Sequence, residues 1–276
     1  MRCHHDTSFI LLTPKIKKHK GQRLNLNTDL FIINLLLYKL GYNVMKYEFI
    51  AQDFAQAVKL TLEANESIII EPGSALCWDK HIHLEGKMNS NGKKGLKGVF
   101  SSVGRTFSSG ESFFITHAKA KNEIGHITVA PATIGSIKAL NCDETHQYRL
   151  NTGTFLAADG TVSYTMRRQE ISQALLGGTG GLFVMETSGT GTMLISGFGD
   201  ILEIDLDDDS LIIDNNHVLA WDTTLDYRIE FADDGIGFKT AEGLTTHFRG
   251  SGKVFVQTRN MEDFASTLPK YLNSDA

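Results

Sequence analysis

The sequence predicts an all-β protein in which three internal repeats pack around a shared core with approximate threefold symmetry. Three observations lead there. A seven-residue motif recurs three times, as Gly73-Ser-Ala-Leu-Cys-Trp-Asp79, Gly153-Thr-Phe-Leu-Ala-Ala-Asp159 and Asn216-His-Val-Leu-Ala-Trp-Asp222. Each copy is followed by a glycine-bracketed turn that runs into an apolar strand: Ser108–Gly110 before Phe113–Ile115, Gly189–Gly191 before Met193–Ile195, and Gly250–Gly252 before Val254–Val256. Between these blocks the apolar residues fall in short runs bounded by turn residues, the pattern of strands rather than of helices.

Each element of the repeat has a physical reason. A polar turn opens it (Glu63–Glu66, Asp143–His146, Asp205–Asp209), followed by a strand over Ser67–Ile70, Gln147–Leu150 or Ser210–Ile213. The motif then begins on Gly73, Gly153 or Asn216, residue types that tolerate the positive φ a turn needs at that point. Leu76, Leu156 and Leu219, each followed by a small residue, mark a short buried strand, and the closing Asp79-Lys80, Asp159-Gly160 and Asp222-Thr223 read as tight hairpin turns. Trp78 and Trp221 share one repeat position and Phe113 and Phe255 another, and all four read as core. The first copy carries an insertion over Asn89–Thr106, rich in Gly, Ser and Lys, which reads as a loop. A helical turn near Ile171–Leu176 and a C-terminal helix over Met261–Leu268 complete the expectation. Since an isolated hairpin is marginal in water, the three units must share one core. The predicted organisation is a single β domain over 45–259, with repeats at about 58–130, 131–199 and 200–259, and a short helix or tail over 260–276.

The bulk composition narrows the function classes. The chain has 276 residues, 41% hydrophobic and 21% charged, enough for a sizeable core. A net charge of -5 leaves no basic footprint for phosphate-backbone binding, so nucleic acid is not an expected partner. Cys3, Cys77 and Cys142 are odd in number and lack metal-ligand spacing, which points to a reducing compartment, the cytoplasm. Residues 1–44 differ from the rest: seven Lys or Arg against two acids, and an apolar run, Leu30–Tyr38, too short to span a bilayer. No transmembrane segment is expected. The preferred reading is that translation begins at Met45 and that 1–44 is upstream frame.

The repeated Gly-x-x-Leu-Ala-x-Asp strand, the Gly177–Phe183 run and the Gly-Thr-Gly and Gly-Ser-Gly turns together resemble the bacterial branch of the altered-inheritance-of-mitochondria family. The resemblance spans about Met45 to Arg259. It implies a fold similar to that of the tryptophan RNA-binding attenuation protein, a TRAP-like β-sandwich grouped with double-stranded β-helices. It links the chain to a family associated in yeast with mitochondrial inner-membrane organisation, and it brings no catalytic residues with it.

Four features invite chemistry, and the repeat supplies a control for them. His81-Ile-His83-Leu-Glu85 could present two imidazoles and a carboxylate to one metal, as the strands of cupin enzymes do. The sister rows, Thr161, Ser163, Thr165 and Thr224, Asp226, Arg228, are simply polar, so the row reads as a solvated face and no metal or cofactor is predicted. The glycine cluster Leu176–Leu182 lacks the strand, helix and acid of a dinucleotide fingerprint and the Gly-Lys-Ser/Thr of a Walker loop. The acidic run Asp205–Asp209 lacks the ligand spacing of a calcium loop and reads as a hairpin turn. Cys77 aligns with Ala157 and Ala220 and reads as a small core residue, and nothing in the sequence places a base beside Cys142.

The function expected is therefore a non-catalytic structural or binding protein that forms homo-oligomers through strand edges or flat faces. A small-molecule or single-stranded RNA binding module is the second reading, and a metal-dependent cupin-like enzyme resting on His81, His83 and Glu85 the third.

Overall fold

The computed structural model describes residues 45–51, 53–90, 112–169, 183–231 and 243–272, and residues 1–44, the glycine cluster and the turn expected near Ile171–Leu176 lie outside them. Seventeen strands and one α-helix follow in chain order among the described residues. The first seven are β1 (Lys46–Ala51), β2 (Ala57–Leu62), β3 (Ser67–Ile70), β4 (Ala75–Trp78), β5 (Ile82–Ser90), β6 (Ser112–Ala120) and β7 (Gly125–Val129). Next come β8 (Ile137–Cys142), β9 (Tyr148–Asn151), β10 (Phe155–Asp159), β11 (Val162–Arg168), β12 (Phe183–Gly189) and β13 (Gly191–Ser196). The last are β14 (Ile201–Asp214), β15 (Val218–Asp222), β16 (Asp226–Phe231) and β17 (Leu244–Gln257), and the helix α1 (Met261–Leu272) follows.

These strands form three antiparallel sheets: β1-β2-β7-β4, then β5-β6-β3-β10-β13-β8, then β11-β12-β9-β15-β17-β14 with β16 also on β17. The motif strands β4, β10 and β15 share a feature that the sequence disguises. Pairing slips by one residue between Ala75 and Cys77, between Phe155 and Ala157, and between Val218 and Ala220. The recurring Leu76, Leu156 and Leu219 are thus the extra residues of β-bulges, each bending its strand. Gly73 and Gly153 enter the motif at φ 86°, the left-handed region that glycine occupies without steric cost.

The apolar alternation buries three clusters. One gathers Leu150, Phe155, Met193, Ile195 and Phe255, another Val58, Leu60, Ile68, Ile70, Leu156 and Leu194, and the third Trp221, Phe248, Leu225 and Val254. Trp221 packs edge-on against Tyr227 and Phe248, at 4.8 and 5.5 Å between ring centroids.

Several sequence expectations are corrected. Asn216 does not have positive φ: it lies in a 3-10 turn, Asn215–His217, whose leading Asp214 side chain accepts from the Asn216 N–H at 2.9 Å. That cap satisfies the backbone, so no left-handed residue is needed. The acidic run Asp205–Asp209 is not a hairpin turn but part of the long strand β14, with a bulge between Leu206 and Asp209 and Asp208 at φ 49°. Likewise Gly250–Gly252 does not reverse the chain, because β17 runs straight through it beside β14. Asn89 belongs to β5, which continues to Ser90 and so trims the expected insertion loop. The C-terminal helix is longer than expected, with Asn260 capping it through a 2.8 Å bond from the Asp263 N–H.

Candidate functional site

The three motif-closing aspartates do structural work. Each carboxylate accepts a backbone N–H from the adjoining strand: His126 to Asp79 at 2.8 Å, Thr192 to Asp159 at 2.6 Å, and Lys253 to Asp222 at 2.8 Å. Gly191 permits the second of these, since a Cβ there would lie 2.8 Å from the Asp159 side chain. Their surroundings differ. Burial pushes Asp159 up to about 7 against the pull of its Thr192 and Met45 N–H donors. Burial also raises Asp222. At Asp79 burial acts the same way, but the His126 and His81 N–H bonds outweigh it and its pKa falls below the ordinary value.

The imidazole row does not converge. His81 sits 3.6 Å from Glu123, while His83 is exposed opposite Lys119, and Glu85 stands opposite His117 with the Lys87 ammonium 3.3 Å away. Two lysines thus hold the places that further ligands would need, and among the described residues no group of three or more His, Cys, Asp or Glu could hold a metal. Ser163, Thr165, Asp226 and Arg228, in the sister rows, are likewise exposed. Cys142 is buried and its Sγ donates to Thr187 Oγ1 at 3.9 Å. Burial pushes its thiol up to about 11, which favours the protonated, less reactive form at neutral pH.

What the sequence reading missed is that two sheet-terminal strands, β4 and β14, hold large apolar side chains in solvent. On β10, Leu156, Ala157 and Ala158 are all 0% exposed; on β15, Leu219, Ala220 and Trp221 are 4%, 0% and 1% exposed. On β4 the aligned Leu76 and Trp78 are 64% and 50% exposed, and Cys77 is exposed as well. Cys77 and Trp78 are therefore not core residues. The difference lies in the neighbours: β10 is flanked by β13 and β3, and β15 by β17 and β9, whereas among the described residues β4 pairs only with β7 and ends its sheet. β14 likewise ends the third sheet, and Ile212 there is 61% exposed. Beside it lies a groove of about 630 Å³, lined by Leu211, Ile212, Tyr227, Arg228, His247 and Phe248 among others. A cavity of about 280 Å³ lies between the Thr145–Gln147 turn and Asp222, Thr224 and Ser251. No signal within the motif could have marked β4 as exposed, because its residues are those of a buried strand.

These features sit within a known family. The family model described as mitochondrial biogenesis AIM24 matches residues 47–259. The chain belongs to the AIM24 family. An uncharacterized protein from Streptococcus pyogenes serotype M6 is 44% identical over 218 residues, 78% of this chain and 86% of that one. A crystal structure of a Streptococcus pyogenes protein superposes with TM-score 0.66 at 38% identity, covering 82% of this chain and 99% of the other. The AIM24 match thus spans all the strands described above except the first residue of β1. Among the described residues no helix is long and apolar enough to cross a membrane.

Proposed function

We propose that this AIM24-family chain is a non-catalytic scaffold, a three-repeat β domain that assembles with copies of itself through its open sheet edges. One observation carries the reading: β4 has the composition of a buried motif strand, yet Leu76 and Trp78 face solvent. Exposed strand edges with large apolar residues are aggregation hazards unless paired or covered, and defined self-assembly covers them. The chemistry supports the same reading, with a thiol at Cys142 held towards its protonated form and Lys119 and Lys87 beside the His81–Glu85 row. The exposed Cys77 thiol suits a reducing cytoplasm. Size-exclusion chromatography with light scattering at micromolar concentration tests the proposal. A defined oligomer is expected, and a monomer overturns it.

A second reading, a small-molecule binding module, has its own support in the 280 Å³ cavity. Asp222 lines it, and the buried Asp222 Oδ1 has no hydrogen-bond partner among the described residues. A buried carboxylate oxygen of this kind is costly unless a donor meets it, which suits an amine-bearing ligand. A thermal-shift screen against primary amines and amino acids tests this, with a saturable stabilisation lost in Asp222→Ala as the supporting result and no shift with any amine as the opposing one.

A further inference from the structure

The edges of β4 and β14 match one another in register, and the match can be read from joints that the chain already makes. In the first joint β10 lies antiparallel to β3, with Ala157 opposite Ile70, Ala158 opposite Ile69 and Asp159 opposite Ile68. In the second β15 lies antiparallel to β9, with Ala220 opposite Leu150, Trp221 opposite Arg149 and Asp222 opposite Tyr148. Both joints set the small residue, the bulky or small residue and the Asp of a motif strand against the strand that precedes another motif. Among the described residues, the motif strand without such a neighbour is β4, and the strand that precedes a motif without such a neighbour is the second half of β14, Asp209–Asp214, which ends at the Asn216 motif.

We propose that β4 of one copy pairs antiparallel with the Asp209–Asp214 half of β14 in a second copy, with Cys77 opposite Ile213, Trp78 opposite Ile212 and Asp79 opposite Leu211. This rests on the self-assembly reading above and names the surface it uses. The register places the two exposed apolar side chains, Trp78 and Ile212, opposite each other. Opposite residues in an antiparallel pair share a face, so the indole of Trp78 lies over the groove that Ile212 lines. The partner is a second copy because the chain carries both halves of the joint yet holds β4 and β14 at the ends of different sheets, unpaired with each other. Each copy offers one edge of each kind, so the contact is head-to-tail, giving a ring where the rotation between copies closes and a filament where it does not.

The hydrogen-bond phase sharpens the test. In the first joint the Glu71 N–H donates to the Leu156 carbonyl at 2.8 Å, which makes Ile70 and Ala157 a non-hydrogen-bonded pair. In the second the Thr223 N–H donates to the Gln147 carbonyl at 2.8 Å, and alternation from that point gives Leu150 and Ala220 the same phase. Cys77 and Ile213 inherit it. Such pairs bring Cα atoms to about 4.5 Å, within the range a disulfide spans.

The experiment is Ile213→Cys in a Cys3→Ser background, keeping the native Cys77, oxidised with copper phenanthroline and run on a non-reducing gel. Covalent multiples of the chain are expected, reversed by thiol and abolished by adding Cys77→Ser, while Ile212→Cys in the same background cross-links at least tenfold less. If light scattering shows an oligomer but Ile213→Cys does not cross-link, the register is wrong and the scaffold reading survives. Loss of free thiols with only monomer on the gel means the edges close within one chain, which overturns the proposal. A monomer before oxidation overturns both readings.

Discussion

The Met45 backbone nitrogen donates to the Asp159 carboxylate across 3.2 Å, with both residues almost wholly buried. The same oxygen takes the Thr192 N–H at 2.6 Å, so one carboxylate ties the start of the described chain to the joint between β10 and β13, with Asp159 lying 114 residues on from Met45. Both of these donors are neutral N–H groups, and burial raises its pKa to about 7, above the roughly 3.9 of an unfolded aspartate. Between those values the folded protein holds more protons than the unfolded one, so stability falls as pH rises. Urea unfolding from pH 4.5 to 7.5 should show that decline, and Asp159→Asn, which keeps an acceptor oxygen, should flatten it. A wild-type profile that rises across this window contradicts the assignment.

Asp143 has the opposite sign. Burial would raise it, but hydrogen bonds from the side chain and N–H of Thr145 and from His146 outweigh that and hold it at about 2. A depressed carboxylate contributes stability that is complete above the unfolded value and is lost as pH falls from about 4 towards 2. Asp143→Ala should therefore lower stability at pH 5 and make the acid side of the profile shallower, as measured by urea midpoints between pH 2.5 and 5. An unchanged acid slope in the variant counts against it.

The sequence carried the fold further than it carried the site, for reasons visible at single residues. Strands over Ser67–Ile70 and Tyr148–Asn151, and the helix from Met261, follow from local alternation and capping, which neighbours in sequence decide. The long strands β14 and β17 were hidden because Asp205–Asp209 and Gly250–Gly252 have the composition of turns; pairing across the sheet, with the Asp208 N–H on Ser251 Oγ at 2.9 Å, keeps both extended. Tertiary pairing there overrides turn propensity. Cys77 and Trp78 fail differently: whether a motif strand is covered depends on a strand that another part of the chain supplies, and no local pattern encodes that.

Glycine at the motif entrance makes a separable demand. A Cβ on Gly73 or Gly153 would meet nothing within 4 Å, so only the φ of 86° is strained by alanine there. Gly73→Ala and Gly153→Ala should each cost about 1–2 kcal/mol of unfolding free energy. Asn216→Ala, in its 3-10 turn, escapes that backbone penalty. Denaturant titration of the three variants checks the ranking, and an Asn216→Ala loss equal to the two glycine variants would contradict it.

The lysines beside the imidazole row lead to a third kind of expectation. With Lys119 across from His83 and Lys87 at 3.3 Å from Glu85, a divalent cation would meet fixed positive charge rather than further ligands. Burial and Lys87 also lower the His117 pKa, an effect only partly offset by Glu85. Isothermal titration with nickel, iron, manganese and zinc should give no saturable heat, and a stoichiometric transition lost in His83→Ala would restore the metal reading.

Trp78 and Trp221 hold the same motif position at 50% and 1% exposure, and that contrast separates folding from assembly. Trp221 is packed by Tyr227 and Phe248, so Trp221→Ala removes a filled core site and should cost about 3–5 kcal/mol of stability. Trp78 has half its surface in solvent in the single chain, so Trp78→Ala should cost that chain far less. Its effect belongs to the assembly, where the indole would face Ile212 of a second copy. Light scattering across a dilution series should therefore show Trp78→Ala dissociating at higher concentration than wild type, with a near-normal denaturation midpoint once both are dilute. If Trp78→Ala instead unfolds like Trp221→Ala and its oligomer is unaffected, the exposed tryptophan belongs to the core and β4 is not the assembling edge.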